Sequence, residues 1–154
     1  MNSAWNMGRL AAPTIFAALA YLTPHAALAT ETPASLEGTT VVNADQVKEL
    51  MAKGAAVIDT RVANEYADAH IKGARNVPYK EKSAKAADFD ASQDSFELAK
   101  VSADKNAAVV FYCNAGECWK SYKASKVAVK AGFKKVYWFR GGMPEWKGKG
   151  YPVE

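Results

Sequence analysis

The chain has only two cysteines and two histidines in 154 residues. A closed zinc site takes about four such ligands. His25 falls in a segment expected to be removed, so Cys113, Cys118 and His70 make a poor set, and no metal or cofactor is expected. Two cysteines inside one short loop are not a disulfide framework either, because such frameworks join distant segments. Charge of either sign is modest: twenty basic residues stand against sixteen acidic ones, a net +4. The lysines are scattered, with Lys134-Lys135 and Lys147 near Lys149 as the close groups. A mild surplus without a basic stripe argues against nucleic acid as a partner. The sequence contains no internal repeat and no low-complexity tract.

Its one long apolar run lies at the start. Residues 1–29 carry a single basic residue, Arg9, and no acid; an apolar stretch runs from Leu10 to Leu22, and Ala27-Leu28-Ala29 precedes Thr30. This is the pattern of a cleaved secretory signal peptide. Pro13, Pro24 and His25 count against an uncleaved membrane anchor, and no cysteine lies near the cleavage site to suggest a lipoprotein. The expected organisation is a signal peptide over 1–29, a polar linker over 30–38 and one domain over 39–154. The mature chain, with nineteen basic and sixteen acidic residues and a net +3, is expected in the periplasm or outside the cell, not embedded in a membrane. There its cysteines meet an oxidising compartment.

Within the domain, short apolar runs alternate with helical patterns. Thr40–Val42 reads as a strand. Asn43, with Gln46 three residues on, reads as the capping box of a helix whose face is Val47, Leu50 and Met51 and whose stop is Gly54. Ala55–Ile58 reads as a second strand, Val62–Asp68 as a short helix, and Ala74–Val77 as a third strand closed by Pro78. The charged stretch 80–106 reads as an insertion with one helix near Phe96–Val101. Val136–Phe139 is the last strand, followed by an Arg140-Gly141-Gly142 turn and a helix from Met143. Alternation of this kind predicts a doubly wound α/β fold around a parallel sheet, with the strand carboxyl ends on one edge. Ligands bind at that edge. Asp59, Cys113 and Arg140 each follow a strand, so all three are expected there.

The stretch that organises the chain is Val109-Val110-Phe111-Tyr112-Cys113-Asn114-Ala115-Gly116-Glu117-Cys118-Trp119. An apolar run leads into Cys113, a short polar loop follows, and a helical pattern extends from Trp119 to Ala131 with Gly132 as its stop. Loop amides and the helix dipole would favour a thiolate or a bound anion at such a cysteine. The competing reading is a small buried residue at a strand end.

Three blocks then resemble the rhodanese (sulfurtransferase) domain family. The first is Asp59-Thr60-Arg61, Glu65-Tyr66 and His70-Ile71-Lys72-Gly73-Ala74-Arg75-Asn76-Val77-Pro78, with Ala69 where the family has glycine. The second is the Cys113 loop after its strand. The third is Gly141-Gly142, Trp146, Gly150 and Pro152. The resemblance implies a five-stranded parallel sheet with helices on both faces. It implies that Cys113 accepts a sulfane sulfur as a persulfide, cradled by the amides of Asn114, Ala115, Gly116, Glu117, Cys118 and Trp119. Asp59, Arg61, His70, Gly141 and Gly142 match positions read as structural. The implied partners are a small sulfur donor, a thiol or cyanide acceptor, and a periplasmic protein.

The loop departs from common sulfurtransferases in two ways. Glu117 stands where a basic residue is frequent and would repel an anionic donor unless Lys120, Lys123 or Arg140 offsets it. Cys118-Trp119 makes a Cys-x4-Cys-Trp pattern similar to exported rhodanese-like proteins associated with PQQ-dependent alcohol oxidation. Related phosphatase loops place arginine six residues after the cysteine; here Trp119 stands there, which argues against phosphoryl chemistry. Three readings follow: an exported sulfurtransferase or persulfide carrier, a thiol-disulfide redox protein using Cys113 and Cys118, and a non-catalytic partner module for which Trp119, Tyr122, Trp138 and Trp146 offer an aromatic rim, although core packing is the use expected of most of them. In the first, the oxidised protein is expected to hold a Cys113–Cys118 disulfide and to be inactive until reduced.

Overall fold

A computed structural model describes residues 31–154; the expected signal peptide lies outside the described residues. Five parallel strands form one sheet in the order β1-β5-β4-β2-β3. They are β1 (Thr39–Val41), β2 (Ala56–Asp59), β3 (Arg75–Asn76), β4 (Ala108–Tyr112) and β5 (Lys135–Phe139). The helices are α1 (Ala44–Ala52), α2 (Ala63–Asp68), α3 (Trp119–Lys130) and α4 (Gly142–Gly148). Boundaries fall within a residue or two of expectation. The two edge strands, β1 and β3, are the shortest, at three and two residues.

The central strand β4 shows why the sheet must be covered twice. Its side chains alternate between faces, and both sets are apolar. Val110 and Tyr112 pack with Val47 of α1 and Met143 and Trp146 of α4. Val109 and Phe111 pack with Ala124 and Ala128 of α3. α1 starts as expected: the Asn43 side chain accepts from the Gln46 amide and the Gln46 side chain accepts from the Asn43 amide, both at 2.9 Å.

Two expectations need correction. Residues 31–38 are not a free linker. Thr32 is buried, and Leu36 packs with Trp119, Tyr122 and Trp138. Nor does the stretch 80–106 stand off the fold. Lys80 and Ser95 exchange backbone hydrogen bonds, Tyr79 and Val101 are in the core, and only a 3₁₀ turn, Leu98–Lys100, occupies the expected helix. Its anchor is Lys123 of α3, which is wholly buried and lies 2.8 Å from Glu81 and 2.8 Å from the Ser83 hydroxyl. The four aromatics take the expected core role and form no rim: Trp119, Tyr122, Trp138 and Trp146 are each 3% exposed or less.

Candidate active site

β4 ends at Tyr112, and the next residue, Cys113, is buried at the sheet's carboxyl edge. The strand exit is fixed through Tyr112. Its carbonyl accepts from the Thr60 amide (3.1 Å) and hydroxyl (2.9 Å). Its phenol donates to Asp59 Oδ2 at 2.6 Å and accepts from the Ile71 amide. Burial, together with the facing Asp59 carboxylate, pushes the Tyr112 phenol above its ordinary range, so it stays protonated and donates. Asp59 also receives Arg61, with Nη2 at 2.6 Å, and Arg61 reaches on to the Ala69 carbonyl. Burial works against the guanidinium's charge, but the Asp59 carboxylate outweighs it and keeps Arg61 ionised. Asp59 and Arg61 therefore brace the strand that delivers Cys113. His70 sits farther off, stacked on Tyr66, with Nδ1 2.8 Å from the Tyr66 carbonyl.

The loop from Asn114 to Glu117 is held by its carbonyls. The Met143 amide donates to the Cys113 carbonyl at 3.0 Å, and the Cys118 amide donates to that of Ala115 at 3.2 Å. The Gly116 carbonyl accepts twice from Thr32, from its amide at 2.8 Å and its hydroxyl at 2.6 Å. The Asn114 side chain donates to Glu65 of α2. With Tyr112, four consecutive or near-consecutive carbonyls are thus taken by donors outside or at the rim of the loop. The amides of residues 114–117 donate to no protein acceptor among the described residues. Successive free amides in a curved loop form a concavity that favours an anion. Ala115 has φ 55°, a left-handed conformation that costs a non-glycine residue about 1 kcal/mol and reverses the chain here.

Two glycines set the loop's neighbours. Gly142 (φ 55°) lies so close that an added Cβ would sit 2.1 Å from the Cys113 carbonyl oxygen. Gly116 faces Arg140: a Cβ there would lie 2.8 Å from the guanidinium carbon. Gly141 abuts the Glu145 carboxylate, whose other oxygen accepts from the Ala44 amide at 2.7 Å.

The charged candidates divide. Arg140 lies against the loop but donates to the Thr32 carbonyl (2.8 Å) and to Glu31 (3.3 Å). Lys120 lines a groove of about 380 Å³ with Val62, Pro78, Tyr79 and Glu81, beside the starts of α2 and α3. Lys123, expected to offset Glu117, points instead into the 81–94 segment. Glu117 itself is exposed. Cys118 is the N-cap residue of α3, and its sulfur is joined to Cys113 in a disulfide with a Cα separation of 6.1 Å, within the range such bonds require. Thr32 and Glu145, which shape the loop from far along the chain, carried no sequence signal beyond ordinary polarity.

The rhodanese-like domain family model matches residues 43–149. A thiosulfate sulfurtransferase, GlpE, from Pseudomonas aeruginosa is 31% identical over 110 residues, 71% of this chain and 84% of that protein. Among solved structures, the BH2092 protein from Bacillus halodurans superposes with a TM-score of 0.58 at 22% identity, covering 75% of this chain and 77% of that one. The polysulfide-sulfur transferase of Wolinella succinogenes superposes with a TM-score of 0.56 at 21% identity, covering 76% and 79%. At these identities the two structures speak for the fold alone.

Proposed function

We propose that this chain, which belongs to the rhodanese-like domain family, is an exported sulfurtransferase whose Cys113 carries a sulfane sulfur. The observation that carries the reading is the loop after Cys113: the carbonyls of Cys113, Ala115 and Gly116 are bound away, and the amides from 114 to 117 meet no protein acceptor among the described residues. Export rests on the pattern of residues 1–29. The kinship with a thiosulfate sulfurtransferase supports the reaction class.

The disulfide must first be reduced, since Cys113 in a disulfide is no nucleophile. The Cys113 thiolate then attacks the outer sulfur of the donor. The donor's S–S bond breaks, and the leaving group (sulfite, from thiosulfate) departs with the electron pair. The Cys113 persulfide that remains places its terminal sulfur among the free amides, where partial negative charge is stabilised. An acceptor thiolate or cyanide attacks that sulfur and returns Cys113 as a thiolate. Glu117 is an exposed carboxylate of the loop, and Arg140 is engaged by Glu31 and Thr32. A singly charged persulfide is therefore a better donor than doubly charged thiosulfate.

The test is thiocyanate formation from thiosulfate and cyanide by the reduced protein. Cys113→Ser should fall to the uncatalysed background while its thermal unfolding is little changed. A folded Cys113→Ser variant that forms thiocyanate at the wild-type rate would remove Cys113 from the mechanism.

A further inference from the structure

We propose that Cys118 is a resolving cysteine, which discharges the sulfur carried by Cys113 as sulfide and makes the protein a sulfane-sulfur reductase. The inference rests on the persulfide reading above and adds a reaction to it. Its basis is the pairing of three features in one loop: the two sulfurs reach bonding distance, Cys118 occupies the N-cap of α3, and the two cysteines differ in exposure.

The first feature sets the geometry. A loop that lets Cys113 and Cys118 bond also lets the Cys118 thiolate approach Cys113 Sγ when that atom carries an extra sulfur. Held thiols of this kind act at effective concentrations far above those of free thiols, which are scarce in an oxidising compartment. The second feature sets the nucleophile. α3 is 12 residues long, and the Cys118 side chain makes no capping hydrogen bond. Negative charge at that end of the helix dipole is stabilised, which suits an attacking thiolate.

The step balances within the chain. The Cys118 thiolate attacks Cys113 Sγ, the bond from Sγ to the terminal sulfur breaks, and that sulfur leaves as hydrosulfide with its proton. The sulfane sulfur gains two electrons; the two cysteine sulfurs lose them and become the disulfide. Starting from thiosulfate, dithiol protein yields disulfide protein, hydrosulfide and hydrogen sulfite.

The third feature directs the return step. Cys113 is 1% exposed, whereas Cys118 is half-buried. An external dithiol, of the class that thiol-disulfide oxidoreductases present, therefore attacks Cys118. Cys113 leaves as the thiolate, ready for the next donor. The dithiol's second sulfur then frees Cys118, and the dithiol ends as a disulfide.

The experiment uses the purified protein, fully reduced, freed of reductant under argon and given thiosulfate. Wild type should release one hydrosulfide per chain and lose the mass of two hydrogens. Cys118→Ser should gain the mass of one sulfur and release at least tenfold less hydrosulfide. If wild type keeps the added sulfur and releases no hydrosulfide, or if both proteins release it equally, the resolving role is overturned while the persulfide reading stands. If Cys118→Ser takes up no sulfur and wild type releases none, both readings fail.

Discussion

A methyl group added at Gly142 would lie 2.1 Å from the Cys113 carbonyl oxygen and 2.8 Å from the Ala115 nitrogen. Both atoms are backbone, so neither can turn aside as a side chain would. The left-handed φ of 55° adds a conformational penalty of about 1 kcal/mol. Gly142→Ala should therefore destabilise the fold by about 2–3 kcal/mol and lower kcat/KM for thiocyanate formation by at least tenfold, since the loop must move off Cys113. Urea unfolding and steady-state rates check this; an unchanged rate would mean that the loop's position is not what tunes the cysteine. The sequence shows the Gly141-Gly142 pair as a tight turn, but not that it presses on a loop delivered by another strand. Glycine also misleads nearby. The positive φ in the active loop falls on Ala115, while Gly116 is small because Arg140 packs against it.

Among the elements, the strands and the three longer helices are legible because each is written in local apolar periodicity, with a capping box at the start of α1 and glycines just past the ends of α1 and α3. The stretch 80–106 is not, because its order comes from distant partners: Lys123 of α3, and the Asp94 carboxylate, which collects donors from well back along the chain. Asp94 accepts from the Tyr79 phenol, the Lys82 and Ser83 amides and the Ser83 hydroxyl, each at 2.7 Å. Burial would raise its pKa, but these donors outweigh burial and hold it down at about 2, against an ordinary 3.8. The unfolded chain thus takes up the proton first as pH falls. Asp94 contributes its full stability above about pH 4, and that contribution is lost as pH falls through 3.8 toward about 2. Asp94→Asn should cost about 2 kcal/mol at neutral pH and flatten this part of the acid limb. Urea midpoints measured from neutral pH down to pH 2 would show it; parallel acid limbs for the two proteins would place the acid sensitivity elsewhere. The strap at residues 31–38 is illegible for the same reason, since Thr32 gains its meaning only beside Gly116 and Arg140.

At the scale of the whole molecule, topology does what no single motif can. The order β1-β5-β4-β2-β3 sets β4 in the middle of the sheet. Its exit is then flanked by the Asp59–Arg61 pair at the end of β2 and by the Arg140–Gly142 turn after β5. Alternating strands and helices were enough to expect that edge as the site, and to expect Asp59, Cys113 and Arg140 along it. What they left open was the direction of each charge: Lys123 turns away to Glu81, and Arg140 turns to the strap. In the proposed function, Cys113 Sγ is the atom that holds the sulfur. The direct measurement is peptide mapping of reduced Cys118→Ser protein, exposed to thiosulfate under argon, alkylated and digested with trypsin. Peptide 106–120 then contains Cys113 as its one cysteine. That peptide should carry an alkylated persulfide, heavier by one sulfur than the alkylated thiol. A peptide that carries only the alkylated thiol, from protein that had consumed the donor, would contradict it.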